Sequence, residues 1–358
     1  MQEINVALKG KYIWFWKGFL IYISISFIVL VTLFFTTSKL SELRIFSHLH
    51  WKYLIPLALI IIFRIVFDGL GLKVLIPKFV PISLWQTIKI RLMGMYFAVA
   101  VPIPTSHVYF QSYLVSRFKI SYAESLGILT VRTLLPALFF LLLIPVYFTI
   151  QLPFKNSVIL HKIIQLTIVS IIGVILLIIV FLVFPDSFTK GLKKLLKVLL
   201  KLKWISSKHY DLLVARIEET ISKIGGILQL YFKKEPAILM ISLLYIIISF
   251  LFEFLTANFV FLVLGLSVSF LKLFFLQFFL KIIIQYAPTP GGTGVDEITY
   301  AGLFALFVPK EIVAITVFVW RFFHAYLLIL IGGILTFLQF RGRNLQSILE
   351  GKDRDADP

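Results

Sequence analysis

The sequence predicts an all-α polytopic membrane protein of about six transmembrane helices and two re-entrant helical hairpins, arranged as two inverted-topology repeats. Three observations carry this. The 358-residue chain is 60% hydrophobic, whereas soluble domains are roughly half apolar. The apolar residues fall in blocks near the ~20 residues that a helix needs to cross a bilayer. One such run is broken by Ala287-Pro288-Thr289-Pro290-Gly291-Gly292-Thr293-Gly294-Val295-Asp296-Glu297. Its prolines and glycines cannot continue a helix, and they free several backbone groups. Lipid cannot satisfy those groups, so the turn belongs inside protein or beside a wet cavity.

The elements follow in order. Residues 1–12 carry Lys9 and Lys11, which favours a cytoplasmic N-terminus. The block 13–35 is too long for a signal-peptide core and has no small-residue cleavage site after it, so it reads as a retained span. A loop with Lys39, Glu42, Arg44 and Lys52 leads to a span at 54–75. Arg64 and Asp68 inside it stand four apart, most simply an intrahelical pair. The apolar segment 84–101 is entered by Lys89 and Arg91 and ends at Val101-Pro102-Ile103-Pro104-Thr105. A polar-aromatic stretch then reaches Arg117 and Lys119. Spans at 122–150, holding Arg132, and at 163–184 come next.

Residues 185–235 hold eleven Lys or Arg against five acidic residues. Leu192, Leu195, Leu196 and Leu199 recur at helical spacing with Lys193, Lys194, Lys197 and Lys201 between them. That pattern fits a basic amphipathic helix on the anionic lipid of the inner leaflet. Docking of a lipid-modifying enzyme is the alternative. A span at 236–264 contains Glu253 and Asn258, the broken segment fills 270–308, and a last span at 311–340 contains Arg321. The chain divides into a first membrane repeat at 1–150, a second at 151–340 including the basic segment, and a polar cytoplasmic tail at 341–358.

The repeat shows in three markers. Val131-Arg132 resembles Trp320-Arg321, and Pro102-Ile103-Pro104 matches Pro288-Thr289-Pro290. The second proline precedes the arginine by 28 residues in one half and 31 in the other. Asp68 precedes Pro104 by 36, and Glu253 precedes Pro290 by 37. With each Pro-Pro segment dipping into the membrane and returning, each half crosses three times, so the second copy is inverted. From an inside start, Lys89, Arg91, Arg117, Lys119, the 185–235 segment, Arg341 and Arg343 all fall inside, as the positive-inside rule asks. The 39–52 loop is a basic exception. Broken helices at the interface of inverted repeats mark transport sites.

Net charge is +18 and there is no cysteine. In a membrane protein a basic surplus faces anionic lipid, so no nucleic-acid partner is expected. Thiol chemistry is excluded, and the redox compartment is unreadable.

Several charges fall within apolar helices, where each costs at least roughly 2.5–3.5 kcal/mol unless it is paired or faces a cavity. Arg132 and Arg321 are either structural ion pairs or phosphate clamps, since the planar guanidinium suits phosphate. Glu253 lacks a partner nearby in sequence and could carry a proton or pair with Arg132 or Lys281. Lys281, two turns before Pro288, would lie deep in the membrane and face a cavity. The turn at Pro290, Gly291, Gly292 and Gly294 either packs two half-helices tightly or offers backbone amides to a headgroup. Asp296 and Glu297 suit the positive end of the returning helix. Glu297 could also meet a cationic group or carry a proton. No Gly-Lys-Ser/Thr follows the turn, so it is not a phosphate-binding P-loop. His48 and His50 lack a supporting ligand set, and no metal or other cofactor is expected.

Pro290-Gly291-Gly292-Thr293-Gly294-Val295-Asp296-Glu297 followed by Arg321 resembles the proline-glycine-glycine-x-glycine-x-x-glutamate signature of the lysylphosphatidylglycerol synthase transmembrane-region family, the flippase-like domain proteins. That family includes the membrane half of the multiple peptide resistance factor. The first half departs from its pattern, with Ser106 and His107 where glycines stand and Gln111 near the place of an arginine. The resemblance implies a lipid-translocating or lipid-handling membrane protein. Members that make aminoacylated lipid carry a soluble synthase domain after the membrane region. This chain runs eighteen residues past Phe340, so the aminoacyl transfer itself is not expected.

The resulting expectation is a carrier, not an enzyme, that moves an anionic or zwitterionic phospholipid or polyprenyl-phosphate-type lipid between leaflets. A coupled carrier of a small polar solute and a scaffold for a lipid- or glycan-modifying enzyme are the alternatives.

Overall fold

The computed structural model describes residues 2–77, 80–101, 105–149, 207–284 and 289–340, with scattered residues between 165 and 197. The expected span at 163–184, most of the amphipathic stretch 190–201, Pro102, Pro104, Pro288 and the tail 341–358 lie outside the described residues. Every described element is helical.

Helix α1 (Gln2–Thr37) is followed by two tight turns of 3-10 helix at Leu40–His48 and Trp51–Tyr53, which lead into α2 (Leu54–Leu75). Ser83 and Gln86 form a reciprocal cap at the start of α3 (Leu84–Ala100), with bonds of 2.6 and 3.2 Å. Helix α4 (Ser106–Ser116) follows the first break. Ser121 and Glu124 then cap α5 (Tyr122–Thr149) in the same reciprocal way. Helix α6 (Ser207–Gln229) passes through a widened π-turn at Leu230–Lys234 into α7 (Pro236–Val263). Pro236 sits at the first position, where its missing N–H costs nothing. Helices α8 (Phe270–Ile284) and α9 (Val295–Phe304) flank the second break. Helices α10 (Val313–Arg321) and α11 (Leu327–Phe340) close the chain.

Among the described residues, four stretches are long and apolar enough to cross a membrane: Gly18–Thr37, Trp51–Leu75, Pro236–Val263 and Lys310–Phe340. The arms of the two broken segments differ in kind. Helices α3, α4, α8 and α9 have 17, 11, 15 and 10 residues, short of the ~20 needed to span. An all-α membrane protein with two interrupted hairpins is what the chain builds. The last span is not the uniform helix expected over 311–340. A π-turn at Phe322–Tyr326 interrupts it, one extra residue per turn of the kind that marks functional sites.

The halves repeat one order: a long helix, two short helices around a break, and a long helix. Their first helices, α2 and α7, pack along their length in opposite directions. Ser242 donates to the Gly71 carbonyl at 2.7 Å, Ser249 to the Arg64 carbonyl at 3.0 Å, and the His50 N–H to the Val263 carbonyl at 2.8 Å. Residue numbers fall along α2 as they rise along α7. Equivalent helices packed antiparallel are related by an axis across them, which is the inverted-topology relation. The buried apolar cluster lies between these two helices and α5, α9 and α10.

Candidate functional site

The second break meets the last turn of α3, just ahead of the first break. A side chain at Gly291 would come 2.5 Å from Val99 Cγ1, on the last turn before the first break. Gly291 also has φ 59°, in the left-handed region, so this position needs glycine on both counts. Helix α1 crosses the junction. Gly18 lies against the Ala100 backbone so closely that no Cβ would fit. Further along α1, Ile25 and Val29 flank Gly294. The junction therefore sits at Gly18–Val29 of α1, inside that helix's apolar run rather than beyond its end.

The turn satisfies itself. The Gly292 N–H bonds the Thr289 carbonyl at 3.1 Å, and the Gly294 N–H bonds Glu297 Oε2 at 2.7 Å. Two of the amides that could cradle a headgroup are thus already engaged, which favours the tight-turn reading. Glu297 reaches back to cap its own helix and is fully buried. It also accepts from Ser26 at 2.6 Å, Tyr326 at 3.2 Å and Arg321 Nε at 3.1 Å. Arg321 forms a second ion pair with Asp296, and its side chain is 2% exposed. The π-turn aligns residues five apart, so the Tyr326 ring lies 5.8 Å from the Arg321 guanidinium carbon. Arg321 is thereby enclosed by two carboxylates and a phenol.

Arg64 and Asp68 do not pair with each other. Arg64 lies 3.1 Å from Glu253 in α7 and donates to the His324 carbonyl at 2.9 Å. Asp68 takes Arg91 at 2.6 Å and also pairs with Arg132. The reason is electrostatic. Each neighbouring helix buries a charge that would be left uncompensated without an interhelical partner, and that penalty exceeds the gain from a pair within one helix. Glu253 pairs with Lys281, one of the two partners expected, while Arg132 goes to Asp68. Lys281 is the most open member of this group, its side chain 31% exposed. His324 Nε2 lies 3.7 Å from Glu253.

Arg91 needs a correction. Expected among the cytoplasmic charges, it lies within α3 and joins the interior network through Asp68 and through Gln111 at 2.8 Å. Ser26, Tyr22, Tyr326, His324 and Gln111 also join the site without being expected there. For Gln111 a signal existed: it follows Pro104 by seven residues, as Glu297 follows Pro290 by seven. Ser26 had none, because nothing local sets it apart from Ser24 in the same apolar run.

Two groups of buried charge result. One joins α2, α3 and α5 through Asp68, Arg91 and Arg132. The other joins α2, α7, α8, α9 and α10 through Arg64, Glu253, Lys281, Asp296, Glu297 and Arg321. Interrupted hairpins meeting inside a bundle around paired charges define a multi-pass membrane protein of the inverted-repeat kind. The chain belongs to the lysylphosphatidylglycerol synthase TM region family, whose model matches residues 18–332. That match runs from the glycine of α1 at the junction to Gly332 of α11, which lies against the Leu92 backbone of α3. Comparison with curated proteins and with solved structures gives no match.

Proposed function

We propose that the protein moves a phospholipid or polyprenyl-phosphate-type lipid between leaflets, with the headgroup passing between the halves and the acyl chains remaining in lipid. The observation that carries this is the meeting of the second helix break with the last turn before the first, beside buried ion pairs, at the level of residues 18–29 of a membrane-spanning helix. Ion pairs at such depth hold a bundle together, yet they also give a charged headgroup partners to exchange with. Lys281, the most open of the charged residues paired in the second group, is the natural first contact for a phosphate. Membership of a family tied to lipid metabolism supports a lipid as cargo. In this reading the protein is a carrier with no chemistry of its own, multi-pass in the cytoplasmic membrane with both termini inside, as the distribution of Lys and Arg favours. Docking of a lipid-modifying enzyme rests on 185–235, of which 207–235 and a few residues between 190 and 197 are described.

A proteoliposome assay with headgroup-labelled phospholipid tests this. The wild type should exchange label between leaflets, and Lys281→Ala, Glu297→Gln and Arg321→Ala should each slow it at a temperature where the variant is folded. No exchange by the wild type removes the translocation reading. Equal rates in all four proteins remove the site assignment.

A further inference from the structure

The two halves differ by one charge at equivalent places. In the second half, Arg321 Nε donates to Glu297, seven residues after the second proline of its break. In the first half the residue seven after the second proline is Gln111, a neutral amide. Its side-chain oxygen is taken by Arg91, and its amide fills the space left by the missing side chain of Gly94. Arg132, which matches Arg321, therefore has no carboxylate at its Nε. That nitrogen is buried without a hydrogen-bond partner, in a residue only 6% exposed. Among the described residues the group holds two guanidinia, Arg91 and Arg132, on one carboxylate, Asp68. The second group also leaves Arg321 Nη2 and Asp296 Oδ1 without a partner, but its charges balance, Arg64, Lys281 and Arg321 against Glu253, Asp296 and Glu297.

A buried donor left unmade and a surplus positive charge are both costly inside a bundle. One singly charged oxyanion would remove both. We infer that the Arg91–Arg132 pair is a binding site for a singly charged oxyanion, of which a lipid phosphodiester is the form that fits a membrane-embedded site. The ligand occupies the place that the Glu297 carboxylate fills in the other half. Asp68 and Gln111 hold the two guanidinia in position. The inference names the headgroup contact within the translocation reading but needs only binding, not movement.

The test is thermal unfolding of the full chain in uncharged detergent, with phosphatidylglycerol, diacylglycerol or inorganic phosphate added. Phosphatidylglycerol should raise the wild-type midpoint, and diacylglycerol, which lacks the phosphate, should not. Gln111→Glu supplies the missing carboxylate internally. It should raise the midpoint without lipid and weaken phosphatidylglycerol by about tenfold or more, as expected for a lost charge-assisted contact. Arg132→Gln should lose the lipid-induced shift while Arg132→Lys keeps part of it. An equal shift from inorganic phosphate assigns the site to a soluble ion rather than a lipid. Wild-type lipid binding in Gln111→Glu, or a lower midpoint in that variant without lipid, overturns the inference. A protein that binds phosphatidylglycerol here but exchanges none in proteoliposomes keeps this site and loses the translocation reading.

Discussion

Arg321 gives up nearly all its hydration, with 2% of its side chain exposed, and is held by Asp296 and Glu297 instead. Removing one partner from a buried pair leaves an uncompensated charge, so Arg321→Ala should lower stability by about 3–5 kcal/mol, the cost of stranding buried carboxylates. Denaturation of purified protein measures it. A loss no larger than that of an exposed arginine such as Arg44 would show that water reaches Asp296 and Glu297 freely. The sequence made Arg321 conspicuous because an arginine in an apolar run must either find a partner or face a cavity. It could not supply the partners, because Asp296 lies 25 residues away and Ser26 lies 271 residues from Glu297. Arg64 shows the same limit from the other side. Spacing along one helix pointed to Asp68, while packing against α7 offered Glu253 across 189 positions of sequence.

At the scale of elements, the breaks were legible because proline and glycine act locally on the backbone. The π-turn at Phe322–Tyr326 was not, because it answers to what Tyr326 must reach: Glu297 on α9 and Ser26 on α1. The π-turn at Leu230–Lys234 has a comparable task. It presents Tyr231, whose hydroxyl donates to the Leu75 carbonyl at the end of α2. Helix ends leave carbonyls without intrahelical partners, and this one is buried. Burial also pushes the Tyr231 phenol up from its ordinary value, so it remains a neutral donor through the working pH range. Its contribution is therefore fully present below the ordinary tyrosine value and is lost as pH rises from there through the elevated one. Tyr231→Phe should cost about 1–3 kcal/mol by leaving the carbonyl unmatched. Thermal unfolding of the variant at neutral pH checks this, and an unchanged midpoint would mean that water satisfies Leu75 instead.

For the molecule as a whole, the antiparallel packing of α2 and α7 fixes which loops share a membrane face. The His50 N–H meets the Val263 carbonyl at one end, and Tyr231 meets Leu75 at the other. The loop before α2 and the loop after α7 must therefore lie on the same side, and the α6–α7 connection on the opposite side. Charge alone was ambiguous here, because the 39–52 loop is basic yet the repeat requires it outside. Packing removes the ambiguity in relation: that loop goes wherever the uncharged 265–269 loop goes. The Lys and Arg of 185–235 then choose the face, since a positive cluster favours the cytoplasm. The native chain has no cysteine, so single cysteines report position without background. Ser47→Cys and Ser267→Cys, both exposed, should react with a membrane-impermeant maleimide added to intact cells. Lys233→Cys should react only after the membrane is opened. Labelling of Ser47→Cys and Ser267→Cys from opposite sides would break the inverted relation between the halves, and with it the argument that the two breaks approach each other from opposite faces of the membrane.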